Sequence, residues 1–426
     1  MHSYPANPMK RSLSRASQLR EAVLLTFCDP LPTEYARLFH LSRKEWEGLL
    51  RWLDTSGLAL YFLDRVEELG LLEMLPLPVI ERLQQNLADN SRRIDGMVAS
   101  LAAIQRRFKE AGLSYAVLKG FSLWPISVPK LELRSQLDLD FLVSEESSLE
   151  ARRILEDAGY RLTAIAGASG RSWEFRANDG PPSSLKDLYK AGLSRAMDLH
   201  IEKVNAGQTS RLSRTHDLHF RDVAMPVLSP IDLFVGQGLH AYQHVCCEFL
   251  RTAHLLEFYR HIMARRCDDV FWSRLQEELA DDPQTCVRLG MVTLLISRVM
   301  GPFAPEALTC WTVDRLPNTA RLWAEMYGHR TALASFPGSK LYLLLQEEMK
   351  PSGLASKRSR LQALLPHRLP PVITHPVVGE AFFARMKRYR AQLRFFGFRL
   401  RFHVFEGALY LRESIFWWQH ANRVSR

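Results

Sequence analysis

Residues 137–143 read LDLDFLV, and their polarity alternates as far as Phe141. In a strand, this spacing sends Leu137, Leu139 and Phe141 to one face and Asp138 and Asp140 to the other. Two carboxylates then project side by side from a rigid support, where like charges resist joint ionisation unless a cation sits between them. Carboxylate oxygens are hard ligands suited to Mg²⁺, which keeps several waters and completes its shell with substrate phosphates. The stretch therefore points to nucleotide chemistry. A solvated strand edge is the plain alternative for an Asp-x-Asp taken alone.

A second acidic strand strengthens the first reading. Residues 197–204, MDLHIEKV, alternate again, with Met197, Leu199 and Ile201 inward and Asp198 and His200 on the other side. A third carboxylate from a separate strand is what a two-cation phosphoryl site needs, because two nearby metals require more oxygen ligands than one Asp-x-Asp supplies.

Composition sets the limits. The chain has 426 residues and 47% hydrophobic content, enough for two or three domains with real cores. A formal charge of +10 favours anionic partners such as a nucleoside triphosphate, a nucleic acid or an acidic membrane surface. The basic, Ser-rich start carries no apolar h-region, and the longest apolar run, near 291–296, is far short of a bilayer span and is broken by Arg298. A cytoplasmic protein is expected. Cys28, Cys246, Cys247, Cys267, Cys286 and Cys310 lack paired spacings, which suits reduced thiols. His240 and His244 fall one helical turn apart in HAYQH, but the Glu of a zinc hydrolase is missing, and buried polar packing is the preferred reading. There is no GxxxxGK[ST] loop and no Gly-x-Ser-x-Gly elbow, and Gly236-Gln237-Gly238 lies inside a helical pattern, out of context for a dinucleotide fold.

Along the chain, residues 1–20 read as a disordered basic tail and 21–89 as a helical region, with Trp46, Leu49, Leu50 and Leu53 at helical spacing and a last helix after Pro78. A separate helix is expected over 91–111, ending at Gly112, followed by a short strand over 115–118. Strands and helices then alternate, and a hairpin closes the unit. Residues 90–228 are thus expected to form an α+β domain on a mixed sheet, flanked by N-terminal and C-terminal helical regions. Ser229-Pro230-Ile231-Asp232 opens a helical domain over 229–350. Residues 351–376 read as a loop or linker, and 377–426 as a basic aromatic region. For that last region, aromatics buried beneath arginine stems are preferred over a nucleic-acid stacking surface or a membrane-surface segment.

In order, the motifs are a strand ending Leu118-Lys119-Gly120, then Arg134, Asp138-x-Asp140, Asp198-x-His200, and VLSPIDLF opening a helix. This ordered set resembles the DNA polymerase beta-type nucleotidyltransferase superfamily, and within it the uncharacterised nucleotidyltransferase family, over residues 90–260. The resemblance implies that Gly120 and Ser122 bind the triphosphate and that Lys119 and Arg134 neutralise phosphate charge. It also implies that Asp138, Asp140 and Asp198 are catalytic and hold two Mg²⁺ ions, with Mn²⁺ as a substitute. The implied reaction moves a nucleoside monophosphate from an NTP onto a hydroxyl of a small molecule or protein and releases pyrophosphate. A toxin- or antitoxin-like transferase acting on RNA or protein is the alternative, and a non-catalytic binding module on the same fold is another. Two departures stand out: Phe121 separates Gly120 from Ser122, where the superfamily has adjacent small residues, and His254 stands where relatives often carry Asp.

Overall fold

The computed structural model describes residues 13–166, 170–177, 188–190, 196–204, 207, 209–349, 363–364 and 381–424. Its centre is a seven-stranded mixed sheet of β1 (Tyr115–Leu118), β2 (Asp138–Ser144), β3 (Tyr160–Ala166), β4 (Ser172–Ala177), β5 (Ala196–Glu202), β6 (His216–Phe220) and β7 (Val223–Val227), in the order β3-β4-β5-β2-β1-β7-β6. The acidic strand β2 is interior, antiparallel to β1 and parallel to β5. Its odd-numbered residues Leu139, Phe141 and Val143 are buried together with Leu101, Ile104 and Phe108 of one helix and Ile154 and Leu155 of another. Phe141 meets Phe108 and Tyr115 edge to face, at centroid distances of 5.4 and 6.2 Å. One sheet face is thereby committed to the core. The aspartates take the other.

Those helices are α4 (Leu77–Glu110) and α5 (Ser148–Asp157). The N-terminal helices are α1 (Arg15–Leu25), α2 (Arg43–Ser56) and α3 (Ala59–Glu68). Sequence periodicity separates a helix after Pro78 from one over 91–111, but the two are a single 34-residue helix, α4. Pro78 sits in its first turn, where a missing N–H is harmless. Nothing between breaks the hydrogen-bond ladder. It ends as expected, with Gly112 at φ 68° and the Leu113 N–H reaching the Phe108 carbonyl at 2.9 Å. Helix α4 therefore runs through residue 90 and ties the N-terminal helices to the sheet.

After the sheet come α6 (Pro230–Val245), α7 (Thr252–Ala264), α8 (Asp269–Glu278), α9 (Pro283–Met300) and shorter helices through Glu348. The Ser229 hydroxyl caps α6 by accepting the Asp232 N–H at 3.2 Å, as its sequence predicts. Trp46, Leu53 and Phe62 of the N-terminal helices share one apolar cluster with Phe234, Phe258, Trp272 and Leu295. Regions that look separate in the sequence thus bury their apolar faces against each other. The tail expected over 1–20 is helical from Arg15, because Leu19, Ala22 and Val23 join this cluster; residues 1–12 lie outside the described residues, as do 351–376 apart from 363–364. Residues Phe382–Val424 form one 43-residue helix. Phe402 is buried there as expected, but Phe398 and Phe405 are exposed. Among the described residues no helix is long and apolar enough to cross a membrane.

Candidate active site

The parallel pairing of β2 with β5 sets Asp140 directly opposite Asp198. Alternate residues of a strand share a face, so Asp138 lies beside Asp140 and His200 beside Asp198. Asp140 is 2% exposed. Its Oδ1 accepts from Lys119 Nζ at 2.6 Å and lies 2.9 Å from His200 Nε2, while the Lys119 and His200 nitrogens are 3.3 Å apart. The ligand atoms of Asp140, Asp198 and His200 all fall within 4.8 Å of one another.

Lys119 follows β1 with φ 47°, a value that strains a residue carrying a Cβ. The ion pair with Asp140 is what the strained turn positions. Gly120 comes next, and a Cβ on it would lie 2.2 Å from the Gln136 side-chain amide. Gln136 cannot readily yield: it is 2% exposed, and its Nε2 donates to the Asp138 carbonyl at 2.7 Å. Glycine is therefore required for the β1 turn to approach the segment that launches β2. The Ser122 hydroxyl, buried, donates to the Lys119 carbonyl at 2.7 Å and braces the same turn.

Arg134 lies one step further out. Its Nε is 3.0 Å from Glu257 Oε1 on α7, an oxygen that also accepts from Tyr61 Oη on α3 at 3.0 Å. Its Nη1 reaches Gln136 Oε1 at 3.4 Å. Arg251 fixes the same segment by donating to Ser135 Oγ at 2.7 Å. Two arginines thus hold residues 134–136 in place, Arg134 through Glu257 of α7 and Arg251 through Ser135.

The three carboxyls do not titrate alike. Burial alone pushes Asp140 up, but Lys119 and His200 outweigh it and hold the group below the usual carboxylate range. Asp138 is raised, first by burial and then by the Asp140 charge. Asp198 is raised to about 7, by burial and then by Asp140 and Asp138. Burial works against the Lys119 charge, but Asp140 leads the aspartates that raise its pKa. Concentrated negative charge that raises its own members is relieved by a divalent cation, and an oxygen-rich donor set is the chemistry such an ion takes. Asp140, Asp198 and the adjoining Asp138 fit a hard cation, with His200 as a borderline donor or as the group that orients Asp140.

A second cluster adjoins this one. His240 and His244 of α6 and His254 of α7 meet edge-on or tilted with ring centroids 4.4–4.8 Å apart, and their ligand nitrogens lie within 4.8 Å of one another. Burial first, then a neighbouring imidazole or Arg251, and after these Lys119 and Arg134, hold all three imidazoles below the usual histidine range. The same positive neighbours disfavour a dication here relative to the carboxylates. Neutral imidazoles in that position suit hydrogen bonding next to an anionic ligand.

The fold thus gathers Lys119, Asp138, Asp140 and Asp198 into one site, sets Gly120 and Arg134 behind it through Gln136, and turns Ser122 onto the Lys119 carbonyl. Sequence reading gave no role to His200, Gln136, Arg251, Glu257 or the histidine trio as a group. The alternation of Asp198 and His200 was the available signal for His200; the others meet through α6–α7 packing, which has no local signature.

Interior carboxylates from neighbouring strands of a mixed sheet, with a basic residue on the turn before them, thus form one acidic site. The sequence belongs to the family described as uncharacterised nucleotidyltransferase, which matches residues 42–301. No curated protein matches it significantly. Among solved structures, it is similar to an antigenic nucleotidyltransferase-like protein from Paracoccidioides brasiliensis, with 12% identity over 47% of this chain and 93% of that one and a TM-score of 0.30. An overlap that loose has no bearing on this chain's chemistry.

Proposed function

We propose that the chain transfers a nucleoside monophosphate from an NTP to a hydroxyl of a small molecule or protein, with Mg²⁺ or Mn²⁺ at Asp138, Asp140 and Asp198. The observation that carries this reading is the direct opposition of Asp140 and Asp198, which places two carboxylates from different strands at one point. Family membership supports the use of an NTP. Divalent ions bound there supply positive charge against the triphosphate and the developing pyrophosphate.

The remaining work falls to the chain. Phosphoryl transfer asks a protein mainly for positioning and charge stabilisation. Lys119 is the cation best placed to meet a phosphate, since its side chain is 29% exposed while that of Arg134 is 11% exposed and paired with Glu257. Arg134 and Arg251 keep the segment before β2 in register. His200 holds the Asp140 oxygen. Asp198, directly across from Asp140 on the neighbouring strand, is the carboxylate that would orient the incoming hydroxyl and take its proton. The hydroxyl oxygen forms a bond to the α-phosphorus as the α–β bridging bond breaks, and its electron pair leaves with pyrophosphate.

The experiment is incubation of the protein with each α-labelled NTP, Mg²⁺ or Mn²⁺ and a metabolite extract, for wild type, Asp138→Ala and Asp140→Ala. Label transfer and pyrophosphate release by wild type alone are the expected result. Equal release by all three proteins contradicts the reading.

A further inference from the structure

The long C-terminal helix presents two apolar faces. One is packed against the body through Tyr410, Trp417 and Ala421, at spacings close to whole helical turns. The other is open. Phe382, Leu400 and Trp418 are all exposed and stand 18 residues apart, as do Leu393 and Leu411. Eighteen residues are five turns of an α-helix, so these side chains fall on one straight row, about 20° wide, along roughly 54 Å of helix. Leu393 and Trp418 are each 68% exposed.

A basic row borders the open face. At 100° per residue, Lys387, Arg390, Arg394, Arg401 and Arg412 lie beside it on the side away from the body, all of them exposed. The helix carries nine Lys and Arg against two Glu. The occupant of this face must therefore be apolar and anionic along the same line.

The geometry points to the surface of an anionic lipid bilayer, with the helix lying in the interface plane. Two features favour this occupant over the others. A second copy of the helix in a left-handed pair needs a seam repeating every 3.5 residues, whereas this row keeps 3.6 and stays straight, as contact with a flat surface requires. RNA binds such elements by stacking bases on aromatic faces, whereas the row is largely aliphatic, with Leu393, Leu400 and Leu411 along its middle. Basic residues at the edge of an apolar helical face are the pattern of an interfacial helix held by both burial and charge. The inference is independent of the chemistry at Asp140.

The test is co-sedimentation of the full chain with vesicles of phosphatidylcholine alone or containing a third phosphatidylglycerol, at fixed salt. Wild type is expected to bind the anionic vesicles at least tenfold more tightly. Leu393→Glu/Leu411→Glu and Arg390→Glu/Arg394→Glu are each expected to weaken that binding tenfold or more, with metal-dependent NTP binding unchanged in both. The proposal is overturned if wild type ignores anionic vesicles or if either double variant binds them normally. It is also overturned if the open face proves to hold a dimer that Leu393→Glu/Leu411→Glu dissolves, or if a short RNA of equal charge displaces the vesicles through the same residues.

Discussion

Asp140 faces Asp198 across adjacent parallel strands, yet the two carboxyls are pulled in opposite directions: Asp140 is held ionised by Lys119 and His200, while Asp198 is raised to about 7. One carboxylate is committed to structure and charge, and the other is left near the protonation midpoint of neutral solution. That asymmetry yields a set of expected outcomes.

The first concerns pH. Asp198 holds its proton in the folded state to about 7, against an ordinary value of 3.8. A raised folded-state pKa means that stability is fully present below the ordinary value and is lost as pH rises through the folded one. Metal-free wild type should therefore lose stability between those two values. Asp198→Asn should flatten that decline and be more stable than wild type at pH 8 by on the order of 2 kcal/mol, after discounting for solvent screening. Urea midpoints in chelator at pH 5 and pH 8 check this. A larger pH loss in the variant contradicts it.

Lys119 and Asp140 should show strong coupling. Removing one partner of a buried pair leaves the other uncompensated, so Lys119→Met should destabilise by roughly 2–4 kcal/mol. Asp140→Asn on top of Lys119→Met should recover a large part of that loss. A double-mutant cycle by chemical denaturation measures the coupling; simple additivity of the two substitutions is the contrary result.

Gly120→Ala tests the close approach of the β1 turn to Gln136. The added Cβ would occupy the Gln136 amide, displacing a buried group that holds the Asp138 carbonyl. A stability loss of about 1–3 kcal/mol is expected, together with weakened NTP binding. Thermal unfolding and nucleotide titration read the two effects, and a variant with wild-type values in both contradicts this placement.

The Glu257 oxygen shared by Arg134 and Tyr61 makes a fourth case. Glu257→Ala strands a buried guanidinium and should cost about 3–5 kcal/mol, whereas Tyr61→Phe removes one hydrogen bond and should cost about 1 kcal/mol. Denaturant unfolding of the two variants gives the comparison. If Tyr61→Phe proves the more damaging, the pair is not what holds residues 134–136.

How much of this was legible in the sequence depends on the range of the interaction. Strand β2 could be read because Leu139 and Phe141 alternate with Asp138 and Asp140 within five residues, and the Ser229 cap because its signal is local. The turn at Gly112 was equally plain. The continuity of α4 was not, because an uninterrupted helix and two abutting helices share one periodicity. Glu257 and Arg251 are ordinary members of a helical segment until the fold brings them against Arg134 and Ser135. Phe398 and Phe405 show the same limit from the other side. Burial was inferred from residue type, whereas their exposure follows from a helix that meets the body along only one face.

Isothermal titration of the metal-free protein with an NTP, with and without Mg²⁺, measures the central claim most directly. Wild type should bind an NTP only with the ion present, and Asp140→Ala and Asp198→Ala should each lose that binding while remaining folded. Nucleotide binding that is indifferent to Mg²⁺ and to both substitutions would place the function elsewhere in the chain.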